Sequence, residues 1–412
     1  MRVKKILCLG IFLSYTAVAQ MKSTECEAMK VFDYETGSCE PIAMEGMPMK
    51  MWMVHGNAFL VLPKEEGRRG RNQFFAPNMA MADIGSTLGN LQYINLNLML
   101  TLEKWTFPSE GAPLLLQIGE ERKDGRPYID AQHPHSSPLM GLTLSDTVSL
   151  GGSDHFKIFF APRGQATEGP VAFMHRVTGA MNPDAPLGHH TGQDVAHITS
   201  TVLGGSLRVY KFIWEASSFH GEEPVPTKVD LPLGKMDSSA MRFIYEHSSD
   251  LYAMASFSTV KHPEHDRPDI DTVKRYSASM YSHYRSENAF NFHNTFIFGM
   301  TNFYDRLSKL RSFGDEFLFE RTDSAHHLWG RFEILERGGE ELAISVVRDV
   351  KWVSALSLGY SLDLFSSSLG KIAVGTSLTR DFLPAVFRPA YGGEPLSGKI
   401  FIQLSAMKMG HF

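Results

Sequence analysis

Hydrophobic and polar positions alternate along most of this chain. From Leu96 the residues Leu96, Leu98, Leu100 and Leu102 interleave with Asn95, Asn97, Met99, Thr101 and Glu103, and Trp105 closes the run. In an extended strand successive side chains point to opposite faces, so this segment has one leucine face and one polar face. The same pattern returns later. Phe290, Phe292, Phe296 and Phe298 oppose Asn291, His293, Thr295 and Thr301. Trp352, Leu356, Leu358, Tyr360, Leu362 and Leu364 oppose Ala355, Ser357, Gly359, Ser361 and Asp363. Ile372, Val374 and Leu378 oppose Ala373, Gly375, Ser377 and Thr379. Less regular strands are expected over 112–120, 154–161, 195–216, 239–261, 272–284, 314–321, 327–336 and 397–405. A strand about every 20 residues, with polar loops between, is the repeated signature of a transmembrane barrel.

The chain ends strengthen that reading. Arg2, Lys4 and Lys5, the apolar run Ile6–Tyr15 and the small residues Ala17 and Ala19 read as a secretory signal peptide over 1–19. The run is too short to span a bilayer as a helix. The last residues, Lys399 to Phe412, form an extended segment with a terminal Phe, similar to the assembly signal of outer-membrane barrels. Ile402 and Leu404 share its face, as do Lys408 and Gly410. The expected fold is therefore an all-β antiparallel barrel of about 12–16 strands, best matched by fourteen. It would lie in the outer membrane of a Gram-negative bacterium, with lipid and the barrel assembly machinery as partners.

Charge and cysteine content narrow the picture. Losing three cations with the signal peptide takes the formal charge from −5 to −8, which disfavours nucleic acid as a partner. Residues 20–50 form a polar segment outside the main sheet, and 51–412 the barrel. In an oxidising compartment Cys26 and Cys39 are expected to form a disulfide. The run Glu65–Arg71 reads as a solvated basic loop.

Two stretches carry candidate chemistry. Met47, Met49, Met51, Met53 and His55 fall at every second residue and share a face if extended. Thioethers and imidazole suit copper(I), and Met side chains equally suit packing. The second stretch, 125–200, reads as a polar insert in or over the lumen. It holds His133, His135, His155, His175, His189, His190 and His197, with Asp130, Asp184 and Asp194 nearby. His133, His135, His175, His189, His190 and His197 are candidate metal ligands, although their spacing matches no regular zinc motif. Hydrogen bonding inside a filled lumen, or solute binding, would use the same residues. Ser137 before Pro138 opens either a short helix over Leu139–Val148 or another strand. The sequence has no G-x-S-x-G, H-E-x-x-H or P-loop motif.

The strings Gln132-His-Pro-His135, Gly169-Pro-Val-Ala-Phe-Met-His-Arg176 and Ala185-Pro-Leu-Gly-His-His190 resemble those of an uncharacterised family of bacterial exported proteins. So do Leu114–Glu120 and Glu222–Pro224. The resemblance spans most of the mature chain. It implies an outer-membrane barrel, and some family members accompany metal-efflux genes. It carries no activity and no catalytic residues. The expected function is an outer-membrane barrel that passes or binds a small solute or metal ion, with copper the favoured metal. An embedded hydrolase drawing Ser, His and Asp from separate strands, or a purely structural protein, would fit the same pattern.

Overall fold

Each alternating run becomes one stave of a closed wall. The computed structural model describes residues 30–33, 38–41, 50–286, 290–303, 308–321, 324–344 and 349–411, with side chains from residue 50 onward. In chain order the strands are β1 (Lys30–Asp33), β2 (Ser38–Pro41), β3 (Lys50–Glu65), β4 (Asn78–Leu88), β5 (Gln92–Leu100), β6 (Ala112–Glu121) and β7 (Pro127–Gln132). They continue as β8 (Leu139–Gly151), β9 (Asp154–Gly164), β10 (Thr199–Val209), β11 (Phe212–His220), β12 (Ser238–Ser248), β13 (Leu251–Lys261) and β14 (Thr272–Arg285). The last are β15 (Phe290–Phe303), β16 (Ser308–Arg321), β17 (His326–Gly338), β18 (Val350–Ser367), β19 (Gly370–Phe382) and β20 (Leu396–His411).

Sixteen of these strands pair antiparallel in a ring, β3-β4-β5-β8-β9 and then β10 through β20, with β20 returning to β3. Closure leaves no strand edge with unpaired N–H and C=O groups, which hydrocarbon would not tolerate. The expected fourteen strands are thus corrected to sixteen. The count was off in three ways: 112–120 forms β6 in a hairpin outside the ring, β4 arises where no strand was expected, and two windows each hide a turn. The windows 195–216 and 239–261 each hold two strands joined by a two-residue turn, Tyr210–Lys211 and Ser249–Asp250, so the alternation barely breaks. Among the described residues β1 and β2 pair with each other and with no other strand.

The alternating faces point as their chemistry requires. Leu96, Phe296, Leu358 and Ile400 are exposed on the outside, while Asn95, Asn97, His293, Thr295 and Ser361 are buried inside. Trp105, 63% exposed, sits just past the end of β5. An apolar outer band over a polar interior is the pattern of a barrel embedded in lipid. Tight turns such as Gly152–Ser153 and Ser368–Leu369 join the strands at one end, and the long connections lie at the other. In outer-membrane barrels the long loops face the cell exterior.

The polar insert is not continuous. Leu139–Gly151 and Asp154–Gly164 are barrel strands β8 and β9, so the stretch 125–200 divides into two loops at the long-loop end. One runs over 101–138 and carries the β6–β7 hairpin, and the other over 165–198. No helix starts at Pro138. Leu139 instead pairs with Leu100 on β5, because Leu142 and Leu144 continue the outward-facing alternation. The basic run is not a solvated loop either. Arg69 Nε lies 2.7 Å from Asp130, and Arg71 donates to the Glu110 and Asp130 carbonyls, clamping 65–71 onto the first loop.

Candidate functional site in the loop-filled lumen

Loop 165–198 crosses the barrel. Gly169 N–H donates to Ser256 Oγ on β13, and Asn57 Nδ2 on β3 donates to the Ala180 carbonyl. β3 and β13 stand eight places apart in the ring of sixteen, directly opposite each other. Further anchors reach β11 through Thr167 and Ser217, β14 through Val171 and Tyr281, and β20 through Lys399 and Asp184. The central anchor is ionic. Arg176 forms two 2.9 Å hydrogen bonds to the Glu316 carboxylate of β16, which also accepts from Arg331 of β17 and from Thr178. All three charged side chains are buried, and the pairing of both arginines with the one carboxylate is what makes such burial tolerable. Gly192, with φ +71°, lets the loop backbone lie directly on β15. A Cβ there would stand 2.4 Å from Met300 N.

Loop 101–138 docks onto the same diaphragm. Gln132 Oε1 accepts from Ala185 N–H, and Gln117 Nε2 donates to the Pro186 carbonyl. Arg337 of β17 joins both loops by donating to the carbonyls of Leu116 and Leu187 and to Thr191 Oγ1.

Where the two loops meet, five histidines form a closed ring of imidazoles. Centroid separations run 5.6 Å from His133 to His135, 5.5 Å to His197, 4.7 Å to His189, 4.6 Å to His190 and 5.0 Å back to His133. Three of the outer nitrogens are tied down. His135 Nδ1 lies 2.9 Å from Glu103, His189 Nδ1 2.8 Å from Asp194, and His197 Nδ1 2.8 Å from the Asp194 carbonyl. A ring N–H that donates at Nδ1 leaves the lone pair on Nε2, the tautomer a metal needs. Ring nitrogens of His133, His189 and His190 lie within 4.8 Å of one another. The Glu120 carboxylate reaches 3.5 Å from His133 Nε2 and 3.9 Å from His190 Nδ1, and one of its oxygens is buried with no hydrogen-bond partner. His197 Nε2 is likewise buried and unpartnered.

Burial keeps three of the five rings neutral. Burial, helped by His135 and His189, pushes the His133 pKa down to about 3, and burial drives His190 and His197 well below the ordinary value. Neutral imidazole is the metal-binding form. Asp194 is held low despite its burial, because His189 and Arg176 favour its charged form.

Other expected site residues lie elsewhere. His175 lines a separate cavity with Arg176, Tyr281, His283 and His293. His155 lies on β9, its Nδ1 against the Ser153 carbonyl. Met51, Met53 and His55 are buried on the inner face of β3. Met47, Met49, Cys26, the side chain of Cys39 and Phe412 lie outside the described residues, as does the signal peptide. The acids that complete the ring, Glu103 and Glu120, stand apart in sequence from the histidines they touch and were not singled out for this role.

No known protein family and no curated protein matches the sequence. Among solved structures the chain is similar to OmpF of Salmonella typhi in complex with daunomycin, at TM-score 0.52 and 9% identity, over 86% of this chain and 97% of that one. It is also similar to an anion-selective porin from Comamonas acidovorans, at TM-score 0.50 and 10% identity, over 87% of this chain and 99% of that one. At such identities the likeness is one of fold. With its apolar outer band and closed wall, the chain is a porin-type barrel of the outer membrane.

Proposed function

We propose that this outer-membrane barrel binds a divalent transition-metal ion at the imidazole ring in its loop-filled mouth. One observation carries the reading: five largely buried imidazoles converge, three of them, His133, His190 and His197, held neutral by burial, beside an unpartnered carboxylate oxygen. Nitrogens around a tetrahedral ion, at metal–nitrogen distances of 2.0–2.1 Å, stand about 3.3 Å apart. The Nε2 atoms of His133 and His190 are 3.1 Å apart. Imidazole with carboxylate suits zinc(II), copper(II) or nickel(II). The resemblance to proteins encoded beside metal-efflux genes points the same way.

The loops across the lumen favour binding over free diffusion, so a solute would pass only with movement of the diaphragm. An embedded hydrolase finds less support. His189 and Asp194 make two of the three members of a catalytic triad, but the rings around His189 are those of His190, His197 and Phe173.

The test is metal titration of the purified barrel in detergent, using cobalt(II) absorption and competition with zinc(II). About one equivalent should bind, and the double variant His133→Ala/His190→Ala should bind at least tenfold more weakly. Equal binding by parent and variant would remove the ring as the site.

A further inference from the structure

Beneath the imidazole ring the lumen wall is lined with thioethers. In the antiparallel register His55 of β3 faces Met81 of β4, and Met81 faces Met99 of β5. All three point inward and are 5%, 3% and 8% exposed. Directly opposed residues have Cβ atoms about 5 Å apart, so one imidazole and two thioethers form a row across three strands. Met79 and Met140 pack against the row from the wall, and Met174 and Ile198 from the crossing loop.

Two cavities adjoin this part of the wall. One of about 470 Å³ is lined by Met79, Met140, Met174, Phe173 and Glu103. Glu103 is the acid that holds His135, and Phe173 packs on the rings of His189 and His197. The other, of about 710 Å³, touches His55 and opens among Glu320, Asp363 and Lys371 near the short-turn end.

Packing accounts for the methionines, which fill irregular space well. It does not account for His55. Its Nδ1 is buried without a hydrogen-bond partner, an unfavourable state that an aliphatic side chain at this position would avoid. A bound cation would satisfy it. Thioethers are poor ligands for hard or borderline divalent ions and good ones for soft ions.

We propose that His55, Met81 and Met99, with Met79, Met140 and Met174 around them, form a second site that takes a soft monovalent cation of the copper(I) or silver(I) class. It is separate from the imidazole ring and does not depend on the ring binding metal. The ion binds and leaves as the monovalent species, with no change of oxidation state.

Silver(I), which is redox-inert, is the probe. The full chain in detergent is titrated with silver(I) against a chromophoric competitor, and the bound ion is examined by X-ray absorption. About one equivalent with sulfur scatterers is expected. Met81→Leu/Met99→Leu, close in volume to the parent, should weaken binding at least tenfold while keeping heat-modifiable migration. If that variant does not fold, His55→Leu alone provides the same reading. His133→Ala/His190→Ala should retain silver(I) binding. Unchanged affinity in the folded Met or His55 variant, absence of sulfur around silver in the parent, or loss of silver(I) in the ring variant would each overturn a separate thioether site.

Discussion

The Nε2 atoms of His133 and His190 lie 3.1 Å apart, although 57 residues separate them in the chain. Burial keeps both rings neutral, and two N–H groups cannot face each other at 3.1 Å, so a tautomer with both protons on Nδ1 turns two lone pairs toward a ligand. Glu103 then matters indirectly, because it accepts from both the backbone N–H and Nδ1 of His135 and so fixes that ring's tautomer. Glu103→Gln should lower zinc(II) affinity by about 10–100-fold, the range for an acceptor behind a metal ligand, with the barrel still folded. Competition titration measures this, and parental affinity in the variant would detach Glu103 and His135 from the site.

Glu316 should hold the diaphragm in place. Without its carboxylate, Arg331 would lose its buried ion pair and Arg176 would keep only the longer 3.4 Å contact to Asp194, and breaking a buried ion pair costs about 3–5 kcal/mol. Glu316→Ala is therefore expected to free loop 165–198 while the wall remains closed. Single-channel conductance in planar bilayers should rise well above that of the parent. Unchanged conductance would mean that the other anchors suffice.

Gly192 offers the same test without touching a charge. Its left-handed backbone and the 2.4 Å approach of a Cβ to Met300 N leave no room for alanine. Gly192→Ala should reproduce the raised conductance of the Glu316 variant. Gly314→Ala, where the nearest atom to a Cβ would be Gln193 Nε2 at 3.6 Å, should not.

The acidic loops beside the ring carry a pH dependence. Burial pushes the Glu223 carboxyl up to about 8 against the pull of Arg275, with Glu120 adding to the rise. Burial and the neighbouring Glu223 push Glu264 up to about 7. Both folded values exceed the ordinary 4.5, so the folded loops hold protons that the unfolded chain releases. Their stabilisation is complete below 4.5 and is lost as pH climbs to about 8. Hydrogen exchange of 221–237 and 262–271, corrected for intrinsic rate, should accelerate between pH 5 and 8. Glu264→Gln should flatten that profile, and a pH-independent parent would contradict the assignment.

The wall was legible in the sequence because a period of two is local. Leu96 against Asn97, or Leu358 against Gly359, declares its face from its immediate neighbours. Tyr210–Lys211 and Ser249–Asp250 hid strand boundaries because neither turn contains the glycine or proline that usually marks one. β8 and β9 were absorbed into the insert because their flanks are rich in histidine and proline. The histidine strings were visible, but not the arrangement that gathers five of them and leaves His175 aside. That selection depends on where 101–138 meets 165–198, and on acids as distant as Glu103. Such long-range contacts leave no periodic trace in the chain.

The breadth of the diaphragm's attachment also fixes an order of events. Its partners lie on β11, β13 through β17, β20 and β3, so the cradle for 165–198 is incomplete until β20 has zipped to β3. A segment made before the middle of the chain must therefore wait, undocked, for the last stave. In pulse-labelled cells the heat-modifiable barrel should appear before 165–198 becomes resistant to added protease. Simultaneous appearance would mean that the plug templates the ring instead of settling into it.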